Sequence, residues 1–174
     1  GGGNFWRGRG SSKILERTRS DQIGMLGTVM NCIYVSEVFK TLGMETSVYT
    51  PFVCGSFTKL FSKEEAVRDL ESGKVVFFDT GTALRAIEIE ADAILLAKSI
   101  DGVYDKDPAV YPDAVKYESV TLSEVLDKRL QVVDLTASIL AMENRMPMFV
   151  FSLNEEESII RAAEGTIAGT RVTV

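Results

Sequence analysis

Apolar positions in this chain fall into two kinds of pattern, and the two kinds alternate. Short unbroken runs at Val75–Phe78, 93–97 and 148–151 have the length and composition of buried strands. Between them lie stretches with helical spacing. In 21–42, Met25, Leu26, Val29, Met30, Ile33, Val38 and Leu42 fall near one stripe, and Gly43 follows, which predicts a long helix. Ser62-Lys63-Glu64-Glu65 has the form of a capping box opening a helix that runs to Ser72 and stops at Gly73. Helices are predicted over 80–90, after the cap Thr121-Leu122-Ser123-Glu124, and from Asp134 through Asn144. A last one opens on Asn154-Glu155-Glu156-Glu157, whose carboxylates form a solvated first turn, and ends at Gly165. Short strands at 45–49 and 171–174 complete the set. Strands alternating with helices of about ten residues predict an α/β fold, a mostly parallel sheet covered on both faces.

Composition narrows the chemistry. At 174 residues the chain is one domain's worth, with 45% hydrophobic and 25% charged residues. A net charge of −6 argues against a nucleic-acid-binding surface, so any bound anion must be held by a few placed cations and amides. No apolar run approaches the ~20 residues of a membrane span, and no signal-peptide pattern opens the sequence. With no histidine, a Ser-His-Asp triad, a phosphohistidine and the usual zinc sites are excluded. Cys32, in the long helix, and Cys54, in a loop, lack metal-ligand spacing and read as reduced thiols of a cytosolic protein.

Two stretches point to phosphate chemistry. The run Asp101-Gly102-Val103-Tyr104-Asp105-Lys106-Asp107-Pro108 follows the strand at 93–97, and in open parallel sheets ligands collect beyond the carboxyl ends of strands. Gly102 permits a sharp reversal there. Lys98 offers a cation for phosphate, Tyr104 a ring for a base, and Asp107 an acceptor for ribose or amine, although Asp-Pro is also a common turn former. The second stretch is Gly1-Gly2-Gly3-Asn4-Phe5-Trp6-Arg7-Gly8, whose amides can approach phosphate oxygens while Arg7 binds them bidentately.

Two irregularities suggest segments of a longer chain joined together. A phosphate-binding glycine cluster normally follows a strand, yet here it comes first. The strand Val75–Phe78 passes into Asp79-Thr80 and the next helix almost without a loop.

These runs, with Gly24-Met25-Leu26-Gly27-Thr28-Val29-Met30-Asn31, Ala83-Leu84-Arg85-Ala86-Ile87-Glu88-Ile89-Glu90-Ala91-Asp92, Val133-Asp134-Leu135-Thr136-Ala137 and the Gly165, Gly169-Thr170 region, resemble the bacterial uridylate kinases of the amino-acid-kinase superfamily, in the same order along the chain. The resemblance implies a single domain over 1–174, a three-layer αβα sandwich around a mostly parallel sheet. It also implies two missing parts: an N-terminal strand, phosphate loop and helix before Gly1, and a Gly-Thr-Gly-x-Pro-Phe-Phe-x-Thr segment between 78 and 79. The implied activity is transfer of the ATP γ-phosphoryl group to UMP in pyrimidine biosynthesis, with Mg²⁺ accompanying ATP and no resident metal site. Gly2 and Arg7 would face the UMP phosphate and Gly3 and Arg7 the transferred phosphoryl. Asp21 would accept from the UMP ribose, unless it is only an N-terminal helix charge. Asp79 would organise the catalytic lysine and metal, and Lys98, Tyr104 and Asp107 would contact ATP. Asp134 matches a carboxylate near the catalytic centre, or else caps the helix it begins. A cytoplasmic homohexamer with GTP and UTP as effectors is the implied assembly. Two alternatives stay open: a sibling kinase with another small acceptor, and a non-catalytic nucleotide- or oxyanion-storage protein on the same fold.

Overall fold

A computed structural model describes residues 1–7, 15–79, 81–130 and 132–174, which fall into two compact units, Gly1–Thr80 and Gly81–Val174. Gly8 of the glycine run and Thr80, the expected start of the third helix, lie outside the described residues.

In the first unit, helix α1 (Arg17–Thr41) leads to β1 (Thr46–Thr50), β2 (Lys59–Leu60), α2 (Lys63–Glu71) and β3 (Val75–Phe78). The three strands pair in parallel in the order β2-β1-β3. Ser62 caps α2 by accepting from the Glu65 amide, while its hydroxyl donates to Glu64. The left-handed Gly43 and Gly73 follow α1 and α2, as expected. β2 went unseen because two residues carry no period. β3 is half-buried along its length rather than fully buried.

α1 corrects the expected apolar stripe. It starts four residues earlier, where Arg17 pairs with Asp21 across one turn. Its buried positions are Ser20, Gly27, Val29 and Ser36, whereas Met25, Leu26, Met30, Val38 and Leu42 are exposed. Small residues face inward because the backbone of the opening loop presses against one flank. A Cβ on Gly27 would lie 3.3 Å from the Gly2 carbonyl, and Trp6 Nε1 donates to Ser20 Oγ at 2.9 Å. On another flank Ser36 shares a 2.7 Å hydrogen bond with Thr46, and Phe39 meets Phe77 edge-on. Below the sheet, Asp69 accepts from Tyr49 Oη and from the ammonium groups of Lys59 and Lys74, all within 2.8 Å. These donors hold its carboxyl well below the usual range, and burial together with Asp69 pushes the Tyr49 phenol up.

The second unit runs α3 (Thr82–Glu88), β4 (Ile94–Lys98), β5 (Ser119–Thr121), α4 (Leu122–Asp127), α5 (Leu135–Glu143), β6 (Met148–Ser152), α6 (Ser158–Ala163) and β7 (Gly169–Thr173). Its strand order is β4-β6-β7-β5, parallel except where β7 runs antiparallel to β6. Ile94, Val120, Leu122, Val125, Met148 and Val172 centre one core. The capping box at Thr121 forms as predicted, and Asp134 caps α5, one of the two roles left open for it. Two expectations change. β4 alternates, with Ile94 buried and Leu95 exposed, so it is not buried on both faces. The last helix begins at Ser158, after a left-handed Glu157, because Asn154 is drawn into a turn by Ser152 Oγ and the Ser99 carbonyl. Glu155 therefore lies outside that helix and pairs with Arg161 at 3.1 Å.

Candidate active site

At the carboxyl end of β4 the second unit opens into a cleft of about 940 Å³, lined among others by Lys98, Asp101, Tyr104, Asp107, Arg129 and Ser152. Residues 101–117 fold back on themselves to build one wall. The Asp105 amide donates to the Val115 carbonyl, the Tyr117 amide to the Val103 carbonyl, and Tyr104 bridges Lys116 in antiparallel fashion. Asp101 anchors this fold: it accepts from Tyr104 Oη at 2.8 Å and Lys116 Nζ at 2.9 Å. The Lys116 ammonium holds the Asp101 carboxyl below its ordinary range, and Asp101 in turn pushes both the Tyr104 phenol and Lys116 up.

Gly102 is needed for a reason other than the expected reversal. Its φ is not in the left-handed region, but a Cβ there would fall 2.6 Å from Thr170 Oγ1. Close approach, not backbone freedom, requires glycine. Asp107 accepts the Ala109 amide at 2.9 Å, and its carbonyl accepts those of Val110 and Tyr111, so it shapes the turn as well as lining the cleft. Lys98 donates to the Val132 carbonyl, and burial pushes its ammonium pKa down. Sequence reasoning missed Lys128 and Arg129, two adjacent cations on the cleft wall. Arg129 is left-handed at the position following the α4 cap, where glycine is usual. The signal was only a Lys-Arg pair after a helix.

Thus Lys98, Tyr104 and Asp107 share one cleft. Asp134 lies apart from it: its Oδ1 accepts the Ala137 amide at 2.9 Å, and it lines a separate cavity of about 300 Å³ with Thr82, Thr136 and Leu140.

In the first unit, Gly2, Gly3 and Arg7 share one turn. The Gly2 carbonyl accepts the Phe5 and Trp6 amides at 3.0 Å. Gly2 is buried, and a Cβ there would strike the Gly24 carbonyl at 2.3 Å, so α1 itself demands this glycine. Gly3 and Arg7 are exposed, with Arg7 Nε donating to the Gly3 carbonyl at 3.0 Å. Asp21 sits one turn inside α1, exposed and held by Arg17, so it is not an N-terminal helix charge. Asp79, just beyond β3, is 3% exposed, and its Oδ2 has no hydrogen-bond partner among the described residues. Burial pushes its carboxyl pKa up, and Asp79 in turn adds to the burial that raises the Cys32 thiol.

This chain belongs to the amino acid kinase family, whose family model matches residues 1–152. Within that family its likeness is to the uridylate kinases. It is 43% identical, over 185 aligned positions, to uridylate kinase of Pediococcus pentosaceus, covering 99% of this chain and 77% of that protein. The solved structure of UMP kinase from Ureaplasma parvum superposes with a TM-score of 0.93 at 30% identity, covering all of this chain and 80% of the other. UMP kinase from Bacillus anthracis gives 0.94 at 30% identity, covering 99% and 77%. The α/β amino-acid-kinase-like fold and the family expected from the sequence are both borne out.

Proposed function

We propose that this chain transfers the γ-phosphoryl group of ATP to UMP, giving UDP and ADP and supplying pyrimidine nucleotides. The observation that carries the reading is the likeness to a uridylate kinase along nearly the whole chain. The cleft beyond β4 supports it, since Lys98 and Arg129 place cations beside Asp101, Asp105 and Asp107 at a strand end where nucleotides bind in such sheets. Phosphoryl transfer depends on alignment and charge neutralisation more than on covalent chemistry, which suits a site without histidine. Lys98, Tyr104 and Asp107 take the ATP side, with Lys98 exchanging its carbonyl partner for phosphate. Gly2, Arg7 and Asp21 take UMP, Gly3 and Arg7 meet the phosphoryl in transit, and Asp79 and Asp134 support the centre.

Mg²⁺ fits as a companion of ATP. No cluster of three acidic or thiol groups suited to a metal occurs among the described residues, but Mg²⁺ commonly needs only one or two carboxylates beside substrate phosphates. The unpartnered Asp79 Oδ2 is a suitable donor. When bound, the ion neutralises phosphate charge. The alignment with the Pediococcus protein spans 185 positions against the 174 residues of this chain, so that relative carries residues that this chain lacks.

The decisive experiment is a coupled ADP-release assay on the full-length protein with ATP and Mg²⁺, offering UMP, CMP, AMP and small carboxylic acids. UMP turnover should exceed CMP and AMP turnover by at least about tenfold, a 1.4 kcal/mol preference. Equal use of CMP, or turnover of none, overturns the assignment.

A cytoplasmic homohexamer with GTP and UTP effectors belongs to the same reading. No described helix is long and apolar enough to cross a membrane. The exposed row on α1 supports self-association. Two antiparallel copies related by a twofold axis near Thr28 set Leu26 against Met30, Ile23 against Ile33 and Arg19 against Glu37, a self-complementary register. Met30→Glu should reduce the mass measured by light scattering. An unchanged mass removes α1 from the interface.

A further inference from the structure

We infer that Thr170, on β7, is a positioning residue for the donor-nucleotide cleft, an inference that rests on the uridylate kinase reading above. Thr170 is fully buried and touches both arms of the 101–117 fold. Its Oγ1 accepts the Val103 amide at 2.9 Å and donates to the Tyr117 carbonyl at 2.5 Å. One hydroxyl therefore serves as acceptor for the arm that carries the cleft residues and donor for the arm that returns to the sheet. The backbone of Gly102 packs directly against the same oxygen, leaving no room for a Cβ. Val103 is itself 3% exposed, so its amide has no route to water if Thr170 Oγ1 is removed.

The consequence reaches the cleft through a short path. Asp101, Gly102, Val103 and Tyr104 all line it, and the Asp101–Tyr104–Lys116 hydrogen bonds form only while the two arms stay in register. Thr170 does not line the cleft; it acts by fixing the height of this segment above β7.

The test uses the full-length protein with Thr170→Val, which keeps shape and removes both hydrogen bonds, Thr170→Ser, which keeps the hydroxyl, and Gly102→Ala, which pushes the segment off Thr170. Fluorescent trinitrophenyl-ATP is titrated onto each without UMP, and the KM values for ATP and UMP are then measured separately. The Val and Ala variants should bind the ATP probe about tenfold more weakly and raise the KM for ATP similarly, while the KM for UMP stays within about twofold and Ser restores normal values. Should Thr170→Val fail to fold, Gly102→Ala against the Ser variant decides the same question. Probe affinity unchanged in the folded variants, or equal weakening of both nucleotides, overturns the inference. An unmodified protein that binds the ATP probe but does not turn over UMP would strike the uridylate reading instead, and the probe titration would still decide Thr170.

Discussion

Arg7→Ala in the full-length protein is expected to lower kcat/KM for UMP phosphorylation by at least about tenfold with a melting temperature within about 2 °C of the unmodified protein. Arg7 is exposed, and its side chain donates to the Gly3 carbonyl of its own turn. Its removal therefore leaves packing intact. Charge-assisted hydrogen bonds contribute about 1.5–3 kcal/mol each, and a phosphoryl group in transit gains most from a planar, bidentate donor. Removing a single hydrogen bond of this kind already accounts for a tenfold effect. Arg7→Lys should recover only part of the rate, because a point charge cannot reproduce the fork. Near-normal kcat/KM in the Ala variant would remove Arg7 from the phosphate site.

Asp79→Asn should separate stability from activity. The Asp79 carboxyl is buried with one oxygen unpartnered among the described residues, and burial raises its pKa above the ordinary carboxylate value. The folded state then holds the proton more tightly than the unfolded state. Between the unfolded pKa and the raised folded one, stability falls as pH rises, and the full penalty is present above the folded pKa. The neutral amide avoids that penalty. The Asn variant should melt higher than the unmodified protein at pH 7.5, and the difference should vanish on acidification toward pH 4. Its turnover should fall at least about tenfold, since on the proposed reading the charge that opposes folding also serves the phosphate chemistry. Calorimetric melting across that pH range with parallel rate measurements checks both halves. A variant equally active, or less stable at pH 7.5 than at pH 4 relative to the unmodified protein, contradicts the account.

The legible parts of this chain were those where local chemistry decides the outcome. Thr121 and Asp134 cap helices with their own side chains, and glycines following α1, α2 and α6 supply left-handed stops, so these boundaries could be read residue by residue. Lys98, Tyr104 and Asp107 were brought into one cleft because a strand end and its loop are contiguous in sequence. What failed was long-range. The apolar residues of α1 gave no hint that Ser20, Gly27 and Ser36 would face inward, because the surfaces that select small residues belong to the opening loop and β1. The antiparallel placement of β7 was hidden for a similar reason: strand direction is set by partners, not by the strand's own period. Gly102 shows the limit most sharply, since a turn and a close approach both call for glycine, and the groups that distinguish them, Thr170 and Lys116, are distant in sequence.

That distance also has a meaning in time. Val103 and Thr170 are 67 residues apart, and a ribosome adding about 5–20 residues per second needs roughly 3–13 s to pass from one to the other. During that interval β4 and the nascent 101–117 segment exist without the strand that fixes them. On the proposed reading, the growing chain therefore emerges with its donor-nucleotide cleft unfinished until β7 has joined the sheet. A nucleotide held there would stabilise finished molecules while leaving half-made ones to the chaperones.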